Sequence, residues 1–370
     1  MKFKVISCMA IALAINFSGE AQSREGNFYI RDWRQFPYRV EQITKGIMQP
    51  KRLMQRSAEN SKEQDIIGEA NNIVRDEPVL ALILIDENDR ILFEKYDDGA
   101  SAESIIKGNS MTKSAVSVAV GQALCSGVLK SLEDKSGSYS KDLRGTAYGD
   151  ATLRQLLMMA SSGTRAVSAG MPSSGMAKEL VTGKRAIRDS FKEFRINQQN
   201  PSVQGIFSYK GLDTDALSVA IEDAVKQKFQ MYFSKVVWQK IGAERDALIQ
   251  VDKNGDAVVN SGMGATARDW ARLAIYIRNM SAEPSCMGQY IRSATSPQIS
   301  NLSDTGNLFS SYGYQFWTGN KMIQTKSAWF DGFDGQRIGI DLASGKIIVL
   351  LSSELGAVKR VYTLFDRWTR

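Results

Sequence analysis

Ser110-Met111-Thr112-Lys113-Ser114, running on through small and apolar residues towards Leu132, is the stretch from which the fold can be read. Met111, Val116, Val120, Ala123, Leu124 and Val128 recur at helical spacing, and the intervening Ser114, Ser117 and Gly121 are small. A helix that is apolar or small on most sides belongs in a protein interior, so Ser110–Leu132 is expected to be a central helix. Ser110 opens it and Lys113 follows at i+3, on the same face. A lysine amine surrounded by apolar helix is desolvated, its pKa falls, and a neutral amine can take the proton of a serine hydroxyl. The helix start adds unpaired N–H groups where negative charge would develop. The plain alternative for Ser110 is a helix N-cap. Ser104/Lys107 and Ser138/Lys141 have the same spacing, but the first lies in a polar approach and the second in a Gly/Ser-rich loop.

Outward from this helix the chain reads as strands at both ends and helices between. Val79–Ile85 is a continuous apolar run, as in a buried strand. Asp86-Glu87-Asn88-Asp89 is turn-like, and Arg90–Tyr96 alternates as the second arm of a hairpin. Helical patterns follow at Thr152–Met159, Asp213–Lys228, Gln230–Ile241 and Thr266–Met280, with a Gly/Ser-rich loop at Ser161–Gly175 that could border a cleft. Tyr312–Trp317, Arg337–Asp341 and Lys346–Leu351 are β-like, with a turn at Leu342-Ala343-Ser344-Gly345, and Val358–Trp368 reads as a last helix. The expectation is an α/β (α+β) fold, in which one antiparallel sheet from the two chain ends is flanked by helices and carries an inserted, mostly helical subdomain. In residue ranges this gives an arm over 22–75 and a catalytic domain over 76–370. Its sheet region is 76–140 and 290–370, and its helical subdomain 141–289.

The chain contains no histidine. That removes a Ser-His-Asp triad and a Cys-His dyad, and the common His-based catalytic zinc sites. A serine nucleophile here needs Lys or Tyr as its base. The net charge of +7 is scattered, with no basic stripe or motif for nucleic acid. Lys2 and Lys4 precede an apolar run, Val5–Phe17, and Gly19-Glu20-Ala21 offers small residues at a cleavage site. This predicts a signal peptide over 1–21 and a periplasmic or secreted product. No later run is long enough to span a membrane, so the mature chain is expected to be soluble, without an integral membrane segment. Export would permit Cys125 and Cys286 to pair, but two separate buried thiols are the expectation.

Further stretches carry chemistry in a fixed order. Ala151-Thr152-Leu153-Arg154-Gln155-Leu156-Leu157 leads to Ser161-Ser162-Gly163, and Phe207-Ser208-Tyr209-Lys210 comes next. Trp238-Gln239-Lys240-Ile241-Gly242-Ala243-Glu244, Gly264-Ala265-Thr266-Ala267-Arg268-Asp269-Trp270 and Gly332-Phe333-Asp334-Gly335-Gln336 follow. With Ser110-Met111-Thr112-Lys113 they resemble the penicillin-recognising serine hydrolases, which include class C β-lactamases, DD-peptidases and related esterases. The later stretches are most like the 6-aminohexanoate-dimer (nylon oligomer) hydrolase branch. The resemblance covers roughly residues 75 to 365.

The resemblance implies that Ser110 is the nucleophile, Lys113 its activating partner and Tyr209 an aid to proton transfer. Lys113, together with Lys210, would lower the Tyr209 pKa; without the resemblance, Tyr209 reads as a packed aromatic. It also places Phe330, Asp331 and Gly332 on a strand edge at the site, with Phe330 a candidate for the second oxyanion N–H and Lys210 a candidate substrate contact. Two departures bear on substrate. Gly211 stands where the family's Y-x-N motif has Asn, and Lys326-Ser327-Ala328 is at most a degraded K-T-G. Both weaken recognition of a β-lactam or D-Ala-D-Ala carboxylate. Arg268 and Asp269 read as a helix start with an acidic first turn, while Asp331 and Asp334 could face substrate or shape a turn. The expected activity is acyl transfer to water from a small amide or ester through an acyl-enzyme, with no metal or organic cofactor and no nucleic acid. The alternatives are a peptidoglycan D-peptidase, D-aminopeptidase or β-lactamase, and a non-catalytic binding protein on the same scaffold.

Overall fold

Seven apolar residues in succession suit a strand covered on both faces, and Val79–Ile85 is such a strand in the computed structural model of the chain. The structure describes residues 29–30, 39–47, 49–162, 184–192, 205–301 and 308–370. The expected signal peptide lies outside these residues, as does all of the Ser161–Gly175 loop beyond Ser162. Val79–Ile85 turns into Ile91–Tyr96 through Asp89, at φ 64°. The Asp86 carboxylate fixes that turn by accepting from the N–H groups of Asn88 (2.9 Å) and Arg90 (2.8 Å).

On its other edge Val79–Ile85 pairs with Ile347–Ser352, so the two ends of the chain share one sheet. Among the described residues that sheet has eight antiparallel strands. Their order is Ile91–Tyr96, Val79–Ile85, Ile347–Ser352, Gln336–Asp341, Ser327–Gly332, Trp317–Asn320, Phe309–Tyr312, Ile299–Ser300. Alternate residues face opposite layers. Ile83 and Ile85 join the core built around Met111–Cys125 and Ala267–Ala282, while Leu82 and Leu84 join the one under Ser61–Asp76 and Val358–Thr369. The inserted middle contains the helices Leu153–Leu157, Gly211–Val225 and Phe229–Phe233.

The structure departs from the sequence reading in several places. A second sheet, of five strands, runs Tyr29–Ile30, Ile105–Lys107, Met263–Ala265, Ala247–Gln250, Val40–Ile43. Its members are two to four residues long, too short to show periodicity. The central helix ends at Cys125, not Leu132, because Gly127 adopts φ +78°. Tyr312–Trp317 is the turn of a hairpin rather than a strand: Phe309–Tyr312 and Trp317–Asn320 flank it, and Gln315 within it has φ 65°.

Cys125 and Cys286 are not separate thiols. They form a disulfide, with Cα atoms 5.7 Å apart, across 161 residues of sequence. It ties the end of Met111–Cys125 to the start of Cys286–Ala294. These helices approach closely because Gly121 has no side chain; a Cβ there would lie 2.5 Å from the Tyr290 ring. Ser117 Oγ and Tyr290 Oη, 3.0 Å apart, add a buried hydrogen bond at the same crossing.

Candidate active site

The short strand Ile105–Lys107 delivers the chain to the site. Gly108 N–H donates to the Met263 carbonyl (2.9 Å), Asn109 turns at φ 48°, and Met111–Cys125 begins one residue after Ser110. Positive φ is unfavourable for a residue with a side chain, and here the Asn109 amide is anchored, donating to the Phe333 carbonyl at 3.1 Å. The N–H groups of Met111, Thr112 and Lys113 close onto the carbonyls of Gly108, Asn109 and Ser110. The Ser110 N–H takes no part in these three bonds. Ser110 stands at the N-cap position but makes no side-chain cap. Its Oγ lies 2.9 Å from Lys113 Nζ instead.

Lys113 is 3% exposed. Burial lowers its pKa from 10.5 to about 7, against the carboxylates of Asp215 and Asp331, which raise it. Besides Ser110, its Nζ donates to the Asn260 carbonyl. Tyr209 shares a hydrogen bond with the Ser110 hydroxyl, and Lys113 Nζ sits 5.0 Å from the centre of its ring. The ring stacks on Trp317 (5.4 Å between centroids) and meets Tyr312 edge-on (6.3 Å). Burial pushes the Tyr209 phenol well above its usual value. The expected lowering by two ammonium groups is not found. Lys113 lies over the ring, and Lys210 turns away: it is 0% exposed, with Nζ donating to the Ser161 carbonyl (2.7 Å) and 3.8 Å from Asp213. So placed, Lys210 holds the base of the site and does not face the cleft.

The strand Ser327–Gly332 borders the site on the other side. Phe330 is fully buried, edge-on to Phe316 at 5.2 Å. Asp331 is half-buried, pairs with Arg337 (3.1 Å) and acts on both Lys113 and Tyr209. The backbone of Gly332 and Phe333 meets the serine turn: a Cβ on Gly332 would lie 2.4 Å from the Gly108 carbonyl oxygen. Phe333, 65% exposed, stands at the rim. Asp269 is the acid of a helix first turn, with Thr266 Oγ1 accepting from its N–H (3.1 Å), and Arg268 pairs with Glu94 at 2.7 Å.

Sequence reasoning missed Asp215 and Asn260. Asp215 is wholly buried in Gly211–Val225, and its carboxyl accepts from Asn260 Nδ2 (2.6 Å) and N–H (3.1 Å). Burial raises the Asp215 pKa to about 7. The available signal was Asp213 and Asp215 in the first turns of a helix whose next residues, 216–221, are apolar or small. Among the described residues no group of His, Cys, Asp or Glu could hold a metal ion.

This arrangement can be compared with known proteins. The Beta-lactamase family model matches residues 71–366. The chain belongs to the beta-lactamase family. A curated member, the 6-aminohexanoate-dimer hydrolase of Paenarthrobacter ureafaciens, is 26% identical over 286 residues, covering 73% of this chain and 71% of that protein. Among solved structures, a Bacillus anthracis protein assigned as a 6-aminohexanoate-dimer hydrolase superposes with a TM-score of 0.71 at 18% identity, covering 90% of this chain and 89% of that one. A beta-lactamase/D-alanine carboxypeptidase from Pseudomonas syringae gives 0.62 at 11% identity, covering 83% and 98%. At these identities the structural likenesses establish the shared fold. Family membership makes the protein a hydrolase of the serine beta-lactamase kind. No helix among the described residues is long and apolar enough to cross a membrane.

Proposed function

We propose that this protein is an exported serine hydrolase that forms an acyl-enzyme on Ser110 and hydrolyses small amides or esters. The observation that carries this reading is Ser110 Oγ at 2.9 Å from the amine of Lys113, whose pKa burial brings to about 7. A base is most effective when its pKa lies near the working pH. Neutral Lys113 takes the Ser110 proton while Ser110 Oγ bonds to the substrate carbonyl carbon. The Ser110 N–H and a backbone N–H from the Gly332–Phe333 end of the strand, the part that touches the serine turn, hold the oxyanion. Phe330 is less suited, lying deeper in the strand. Tyr209, kept as a neutral phenol by burial, is an acid here. It protonates the leaving amine or alcohol as the C–N or C–O bond breaks, and regains its proton from Lys113. Water then attacks the acyl carbon, giving a proton back through the same pair, and Ser110 leaves as the hydroxyl.

Substrate class follows from the strand edge. Asp331, beside Lys113 and Tyr209, engages the Arg337 guanidinium at 3.1 Å, so that cation at the strand edge is already paired and is not offered to a substrate carboxylate. This works against penicillins and against peptides ending in D-alanine. It is compatible with a small amide whose charged ends lie further from the scissile bond, and the Paenarthrobacter relative is named for hydrolysis of the 6-aminohexanoate dimer. The Cys125–Cys286 disulfide supports export, since such bonds persist in oxidising compartments, and agrees with the leader expected over 1–21.

The test is fluorophosphonate labelling followed by peptide mass spectrometry, with kcat/KM across ester, linear-amide and β-lactam panels. Label is expected on Ser110 and absent from a folded Ser110→Ala variant, with turnover of p-nitrophenyl esters and small amides exceeding that of β-lactams. Label on Ser104 or Ser138 would overturn the site assignment. Efficient β-lactam turnover with negligible ester activity would move the protein to the β-lactamases proper.

A further inference from the structure

The Y-x-N motif that ends in Gly211 lacks a side chain to contact the lysine, yet the lysine is contacted. Its Nζ donates to the carbonyl of Asn260, a residue 147 positions along the chain from Lys113. The space beside Gly211 is filled by the same residue: a Cβ at 211 would meet Asn260 Cβ and Cγ at 3.3 Å. One helical turn beyond Gly211, Asp215 grips Asn260 twice, accepting from its backbone N–H at 3.1 Å and its Nδ2 at 2.6 Å. Ser261 Oγ donates to the remaining polar atom of that side chain, Oδ1, at 2.8 Å. Asp215 is fully buried and Lys113 nearly so, so these bonds are not exchanged for water.

We propose that Asp215 and Asn260 are positioning residues for Lys113, and that Gly211 is the vacancy that admits them. This rests on the acyl-enzyme reading above. A backbone carbonyl can only accept, so it occupies an N–H of Lys113 in either protonation state. With that hydrogen held, the nitrogen is fixed beside Ser110 Oγ, and rotation about the Cε–Nζ bond is limited to presenting its second N–H or, in the neutral amine, its lone pair there. The carbonyl is aimed by the bonds of its own residue, and those end on Asp215. The titratable and charged groups facing Lys113 are Asp215 from the Gly211–Val225 helix, Asp331 from the sheet edge, and Tyr209. Asp215 thus aims the amine through Asn260.

The experiment measures kcat and KM for p-nitrophenyl acetate against pH, and the rate of fluorophosphonate labelling, in the wild type, Asp215→Asn, Asn260→Ala and Gly211→Ala. Asp215→Asn keeps the volume but leaves one of the two Asn260 N–H donors without its acceptor, so kcat should fall about tenfold with KM nearly unchanged. Asn260→Ala keeps the carbonyl but loses its side-chain anchors. Here kcat should fall about tenfold or more, as for a misplaced base, with KM nearly unchanged. Gly211→Ala pushes on Asn260 and should lower kcat in the same sense but less. If any one variant does not fold, the others still decide. Wild-type kcat in Asp215→Asn, or in Asn260→Ala, overturns the proposal. A wild type whose Ser110 takes no label overturns the functional reading itself, which separates the two failures.

Discussion

Lys113 and Tyr209 are shifted by the same cause, burial, in directions that suit opposite tasks. Desolvation disfavours whichever form is charged, so it turns the lysine into a free amine near neutrality and keeps the tyrosine a phenol. In the proposed mechanism the reactive form of Lys113 is the deprotonated one. As pH falls through about 7 the amine gains its proton, and kcat/KM should fall along a one-proton limb. Initial rates on p-nitrophenyl acetate from pH 5 to 9 test this, and a flat profile would exclude Lys113 as the base. Lys113→Met should lose about a hundredfold or more on every substrate, in the range for a positioned base. Tyr209→Phe should discriminate. An amine leaving group needs a proton and p-nitrophenolate does not, so amide turnover should fall by about a hundredfold while activated esters lose far less. Equal losses on both would show that Tyr209 is not the acid. Ser110 and Lys113 were legible because their contact is local, at i and i+3. Tyr209 was legible only through resemblance, and its pKa was misjudged because sequence shows a neighbouring ammonium but not which way it points. Asn260 acts on Lys113 across 147 residues and on Asp215 across 45, and no periodicity signals such a contact.

Elements with long, strong patterns were readable, and elements fixed by one turn were not. Val79–Ile85 declares itself by composition. Tyr312–Trp317 has strand-like residues but is bent by Gln315 at φ 65°. What holds that conformation is a set of buried bonds to three helices. Gln315 Nε2 donates to the carbonyls of Leu156 and Leu157, both at 3.0 Å, and its Oε1 accepts from Thr214 Oγ1 at 2.7 Å. Its backbone carbonyl accepts from Ser114 Oγ at 2.6 Å, next to Lys113, and its N–H donates to the Leu157 carbonyl. The turn thereby pins the serine helix to the helices Leu153–Leu157 and Gly211–Val225. Gln315→Ala retains the unfavourable φ and leaves the buried hydroxyl of Thr214 and the carbonyls of Leu156 and Leu157 without this partner. The expected loss is on the order of 3 kcal/mol, read as a lower urea midpoint at unchanged m-value. Gln315→Gly relaxes the backbone and should fall no further than Ala. An unchanged midpoint in Gln315→Ala would show that these bonds do not hold the turn.

At the scale of the whole molecule, the two chain ends close one sheet, and the disulfide closes the helical layer on one face of it. Cys125 and Cys286 were read as separate thiols because nothing in either segment marks the other. Their approach depends on Gly121 yielding room to Tyr290, a packing fact. The bond links the serine helix to its neighbour at the end remote from Ser110, so it should act on stability rather than on chemistry. It also ties stability to compartment, which allows export to be tested on the molecule itself. The leader expected over 1–21 carries Cys8, so a product beginning near Gln22 would contain only Cys125 and Cys286. Recovered from the periplasm or medium and denatured without reductant, that product should titrate no free thiol. The same residues expressed without the leader in a reducing cytosol should titrate two. The reduced form should be less stable by about 2–4 kcal/mol, the usual effect of a disulfide closing a long loop, while Ser110 labels at a similar rate in both below the melting point. Two free thiols in the exported product would remove the disulfide, and full-length protein retained in the cytosol would remove the export assignment. Loss of Ser110 labelling on reduction, well below the melting point, would show that the crossing at Gly121 and Tyr290 is coupled to the active site through the length of the helix.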